Sequence, residues 1–215
     1  FIECRFIAVV AILFYVHVAG SYALGMSIFS VSLFATALLE VPTGIFSDKI
    51  GRKNTMILAT LCDVCSMSLY IAASIYNSYL ILVIAAFFNG TAGSLYSGTE
   101  TALLYETLAD LRKTNKYHEV SGKMESMMQM SSAVAAFIGS FVAYKYSYTF
   151  LAVISVAPVF LAFLTTLFFV EPKQRNQDEK DISSFKHFIE AFRILLKNKK
   201  LLALSVGSII STSFG

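Results

Sequence analysis

The residues of this chain that could do chemistry fall into two groups, and each spacing points to a different kind of work. The first is the stretch Glu40 to Lys53, EVPTGIFSDKIGRK, where Asp48, Lys49, Arg52 and Lys53 crowd around Gly44 and Gly51. Asp48 and Arg52 are four positions apart, close enough to pair, and Glu106 in LLYETL is a second acid at a matching depth for Arg52. Paired charges of this kind hold surfaces together rather than break bonds. Gly51 supplies the backbone angles that a short reversal needs, and Gly44, lacking a side chain, leaves room for another helix to come close.

The second group consists of single ionisable residues set in long apolar runs: His17, Glu40, Asp63, Glu100 and Glu125. A charge in such a run is costly, which makes each a functional candidate. Glu40 precedes Pro42, whose ring leaves the Leu38 carbonyl without its helical donor and predicts a kink or local opening. Asp63, in LCDVC, is expected to bond within a helix bundle. Cys62 and Cys65 flank it at a redox-like spacing but have no second pair and no nearby His, so they read as small buried thiols. The histidines His17, His118 and His187 are scattered, which gives no metal site, no cofactor site and no enzyme.

These residues need a scaffold, and composition says which. With 56% hydrophobic residues, 14% charged residues and a mean hydropathy of +0.67, the chain is too apolar for a soluble domain. Its apolar blocks recur at roughly the 20 residues that a bilayer-spanning helix requires. The blocks predict spans over Ile2 to Ala19, Met26 to Ser47, Thr55 to Ile75, Tyr79 to Leu108, Glu119 to Ala143 and Phe150 to Val170, so residues 1–170 form an all-α bundle of six transmembrane helices. Glu171-Pro172 stops the sixth.

Residues 171–200 read as an extramembrane linker in which Ile182, Phe185, Phe188, Ile189, Phe192, Leu195 and Leu196 mark an amphipathic helix over about 182–197. The run 201–215 is a truncated seventh span. The bases Arg5, Lys49, Arg52, Lys53, Arg112, Lys113 and Lys116, with those of the linker, fall on one side if the spans alternate. The positive-inside rule makes that side cytosolic, with the N-terminus and the hairpin between the second and third spans inside. The net charge of +3 is thereby explained by topology, and the partners are a lipid bilayer rather than nucleic acid.

Gly44, Asp48, Lys49, Gly51, Arg52 and Lys53 fill every fixed position of the loop pattern G-x-x-x-D-(R/K)-x-G-R-(R/K), and there the chain resembles the major facilitator superfamily (MFS) of secondary transporters. The layout of spans, linker and further span is similar to the N-terminal half of that twelve-helix fold. The resemblance implies a small-molecule substrate, a coupling proton as an option, and alternating access in the cell membrane, with a missing C-terminal six-helix half as partner. It implies that Gly44, Asp48, Lys49, Gly51, Arg52, Lys53 and Glu106 form a cytosolic gate, and that Tyr15, His17, Glu40, Asn89 and Glu100 contact solute or proton in a cavity.

The drug and proton antiporter-like branch is the branch it resembles. Asn89-Gly90 matches the end of that branch's R-x-x-Q-G pattern on the fourth helix, Ala86 stands at its Arg, and the fifth helix lacks its Gly-Pro. The alternative from another class is a sensor or receptor that keeps a transporter's shape without moving solute.

Overall fold

A computed structural model describes residues 5–172. The expected linker beyond Pro172, its surface helix and the seventh span lie outside the described residues, as do the first four positions. Among the described residues every regular element is helical. A 3-10 turn, Ala8–Val10, leads into α1 (Ala11–Ala19); then come α2 (Tyr22–Ile50), α3 (Arg52–Tyr76), α4 (Tyr79–Asp110), a second 3-10 turn (Thr114–Lys116), α5 (Tyr117–Lys145) and α6 (Tyr148–Leu167).

The breaks between helices follow from local chemistry. Gly20, at φ +77°, closes α1 in the left-handed conformation that costs glycine little. Ser21 then opens α2, its Oγ accepting the Leu24 N–H at 3.2 Å, and Ser147 opens α6 in the same way through the Phe150 N–H. Asn77 takes the left-handed position at the end of α3, a role its short polar side chain tolerates.

Among the described residues five helices, α2 to α6, are long and apolar enough to cross a membrane, and a sixth apolar helix, Ala8–Ala19, is shorter. The chain is therefore a multi-pass membrane protein. The first span differs from the sequence reading: regular α-helix begins only at Ala11, after turn residues and the 3-10 segment. The sixth helix also ends early, at Leu167 rather than Val170. Near its end Thr165 and Thr166 donate side-chain bonds to the Ala162 and Phe163 carbonyls, a local alternative to the helical ladder, so the helix closes before Pro172 is reached. Across Pro42, by contrast, α2 continues as one helix, with Thr43 Oγ1 bonded to the Leu39 carbonyl at 2.8 Å.

The apolar core lies between α1, α3, α4 and α6 around Phe14, Tyr70, Leu82 and Leu151. A separate seam joins α2 to α4. A Cβ at Gly90 would run into the Ser32 carbonyl and stand 2.7 Å from the Ala35 Cβ, so glycine is what allows these two helices to touch. Directed bonds run along the seam: Ser32 Oγ to Asn89 Oδ1 at 3.1 Å, Thr36 Oγ1 to the Gly90 carbonyl at 3.0 Å, and Thr43 Oγ1 to the Ser94 carbonyl at 3.2 Å. The helix α5 is the least enclosed, with only Ala135 and Gly139 buried, while Phe137 is 81% exposed.

Candidate functional site

The hairpin between α2 and α3 brings its charges to one point. Gly51 sits at φ +97°, which turns the chain within a single residue. Arg52, the first residue of α3, then reaches back across the hairpin. Its Nη2 lies 2.9 Å from Asp48 Oδ1, its Nε donates to Glu106 Oε1 on α4 at 3.1 Å, and its Nη1 donates to Ser47 Oγ at 2.9 Å. Ser47 in turn bonds Thr99 of α4 at 3.0 Å, with both residues buried. One guanidinium thus ties three helices together. The planar fork is what makes this possible, since a lysine ammonium acts as a point charge.

Glu171 completes the cluster, and sequence reasoning missed it by treating it only as a helix stop. Its Oε1 accepts the Arg52 backbone N–H and its Oε2 the Lys53 N–H, both at 2.7 Å. The first amides of a helix have no intrahelical partner and carry the positive end of the dipole, so a carboxylate is well matched there. Gly51 has a second purpose: a Cβ on it would stand 2.7 Å from Glu171 Oε1. The available signal was an acid directly after an apolar span, on the side of the membrane where the hairpin lies.

The remaining hairpin residues are less engaged. Lys49 is exposed and Lys53 half-buried. Apart from its own stretch of helix, no described residue comes within 4 Å of a Cβ placed at Gly44, so the close helix approach expected there is not made by the residues described.

The five cavity candidates lie at different levels. Tyr15 donates to the Tyr70 hydroxyl at 3.2 Å and packs edge-on to Phe14 and Phe29. His17 is exposed near the far end of α1, its ring 5.4 Å from that of Tyr148. Asn89 belongs to the α2 and α4 seam. Glu40 is exposed and accepts from Ser97 Oγ at 3.3 Å, and Glu100 is half-buried one turn further along α4. An open cavity of about 580 Å³ borders the charge cluster, walled by Tyr105, Glu106, Tyr117 and His118.

Arg5 corrects the sequence reading. The expected place among the bases of the membrane rim does not hold, for its Nη2 lies 2.7 Å from Oδ2 of Asp63, halfway along α3. Tyr96 of α4 donates to the same Oδ2 at 3.1 Å. A guanidinium inside an apolar bundle is stable where a buried carboxylate meets it, and that attraction outweighs the rim position. The signal was legible in principle: two opposite charges, Arg5 and Asp63, each in an apolar stretch.

Comparison with known proteins accords with this geometry. The model of the family described as Major Facilitator Superfamily matches residues 4–215. A curated relative, a facilitated glucose transporter homolog of Caenorhabditis elegans, is 27% identical over 158 residues, which is 70% of this chain and 29% of the relative. The chain thus spans under a third of that protein's length. No solved structure matches.

Proposed function

The chain belongs to the major facilitator superfamily, and from that premise we propose that it works as the N-terminal half of a secondary transporter that moves a small polar solute by alternating access. The observation that carries this reading is the Arg52 cluster, because Asp48, Glu106 and Ser47 converge on one side chain at the mouth of the bundle. Ion pairs that meet on one side chain can be broken and re-formed as a unit, which is what a gate requires.

In this reading the base-rich rim faces the cytosol of a cell whose membrane holds the protein. The partner is the six-helix C-terminal half of the same protein. Gly44 and Lys49, left open within this half, are the surface presented to it. Solute binds near the midplane between the halves, with Tyr15, His17, Glu40, Asn89 and Glu100 as contacts and the two glutamates as carriers of any coupling proton. The glucose transporter homolog makes hexoses the first solutes to try. The antiporter-like branch rests on Asn89-Gly90 alone, with Ala86 where that branch has Arg.

The test uses the full-length protein in sealed vesicles, with counterflow of labelled solute across a panel that begins with hexoses. Transient accumulation that disappears in Arg52→Ala supports the proposal. Solute binding without flux identifies a sensor instead and overturns it.

A further inference from the structure

The pair buried in the bundle has no part in the hairpin. Asp63 is 1% exposed and Arg5 21% exposed. An ion pair in a low-dielectric interior is a poor source of stability, because removing both charges from water offsets much of their attraction, and an apolar pair of similar volume is often as stable or more so. The placement of this pair therefore calls for another reason.

That reason is visible in the first helix. The segment from Arg5 to Ile7 is fastened to the bundle by directed contacts on three sides. Arg5 meets Asp63, which Tyr96 also holds. The Ile7 N–H donates to Ser155 Oγ of α6 at 3.2 Å. The Phe6 carbonyl lies against Gly139 of α5, where a Cβ would collide with it. Next comes the 3-10 turn, Ala8–Val10, closed by bonds of 3.1 Å from the Ala8 N–H to the Arg5 carbonyl and from the Val10 N–H to the Ile7 carbonyl. Beyond the turn, α1 is held mainly by apolar packing of Phe14 and Val18, with the hydroxyl bond between Tyr15 and Tyr70. Apolar contacts are non-directional, so the part of α1 beyond the turn is free to shift against them while the fastened segment stays in place.

We propose that Arg5, Asp63 and Tyr96 form a latch that pins the start of the first helix, so that α1 swings about the Ala8–Val10 turn as the transporter changes state. This rests on the transport reading above. The three are positioning residues: they act through α1 and need not touch the solute.

The test is made in full-length protein with every native cysteine, Cys4, Cys62 and Cys65 among them, replaced by Ala and Val9, 47% exposed in the turn, replaced by Cys. In the parent, addition of a transported solute changes the rate at which Val9→Cys reacts with a thiol reagent. The triple variant Arg5→Met, Asp63→Leu, Tyr96→Phe removes both charges of the pair together with the hydroxyl bonded to it. It is expected to keep the parent's thermal midpoint, to lose solute transport roughly tenfold, and to lose the solute-dependent change at Val9→Cys.

Tyr96→Phe alone alters no charge, which secures a folded variant, and a smaller loss of the same two readouts is expected. Parent-like transport in the folded triple variant, or in Tyr96→Phe should the triple not fold, overturns the latch. So does a Val9→Cys rate that solute leaves unchanged in a transporting parent. A parent that carries no solute overturns the transport reading; the latch then stands or falls by whether the basal Val9→Cys rate differs between parent and variant, identical rates overturning it.

Discussion

Glu171→Ala removes a carboxylate that accepts two backbone N–H bonds of 2.7 Å at the start of α3. Hydrogen bonds to a charged group contribute about 1.5–3 kcal/mol, and loss of a helix cap costs about 0.5–2 kcal/mol. The bonds share one partly exposed side chain, so the two figures overlap rather than add, and a loss of about 2 kcal/mol is expected. Glu171→Gln keeps one acceptor oxygen and turns an amide N–H toward the second donor, so it should recover only part of that loss.

Gly51 gives an internal check. In the parent, Gly51→Ala brings a Cβ to 2.7 Å from Glu171 Oε1 at a φ of +97°. In the Glu171→Ala background only the backbone strain at φ +97° and ψ 155° remains, about 1–3 kcal/mol. The double variant should therefore lose less than the sum of the singles, by about 1 kcal/mol or more. The assay is thermal unfolding of detergent-solubilised full-length protein, read as a double-mutant cycle, with vesicle transport measured in parallel. Parent-like stability for Glu171→Ala, or strict additivity with Gly51→Ala, would refute the docking of this carboxylate on the helix terminus.

Other outcomes follow from the same contacts. Arg52→Lys keeps the charge but cannot reach Asp48, Glu106 and Ser47 together, so side-resolved transport assays should find it much nearer to Arg52→Ala than to the parent. Asp48→Asn, at an exposed carboxylate, should leave membrane insertion intact, cost under about 1 kcal/mol of stability and lower flux; undiminished flux in correctly inserted protein would count against the gate. Gly90→Val places side-chain atoms on the Ser32 backbone and Ala35, and should abolish the monodisperse species in size-exclusion chromatography. Lys123→Ala, which breaks the exposed pair with Glu119, should leave the unfolding midpoint unchanged and serves as the control.

Sequence periodicity and breakers made the helices legible because membrane spans are long, apolar and separated by short polar turns. The ends were less so. The closure of α6 at Leu167 depends on threonine hydroxyls competing for carbonyls, and the 3-10 start of the first helix depends on where Arg5 finds a counter-charge. Of the charge cluster, Asp48 and Arg52 were readable as a pair because they share one stretch, and Glu106 by its depth. Glu171 was not, since its partners are backbone amides far along the chain, and a backbone amide leaves no mark in a sequence. Asp63 was recognisable as a bundle-bonded acid, whereas nothing local in the sequence separates its partner Arg5 from a base of the rim, since the two lie 58 positions apart.

The most direct measurement of the gate is the rate at which a single cysteine at position 40, on the exposed side of α2 one stretch inside Asp48, reacts with a membrane-impermeant thiol reagent applied from the cytosolic side. If the Arg52 cluster closes the path from that side, Arg52→Ala should raise this rate several-fold in the full-length protein. An unchanged rate, or reaction only from the opposite side, would contradict it.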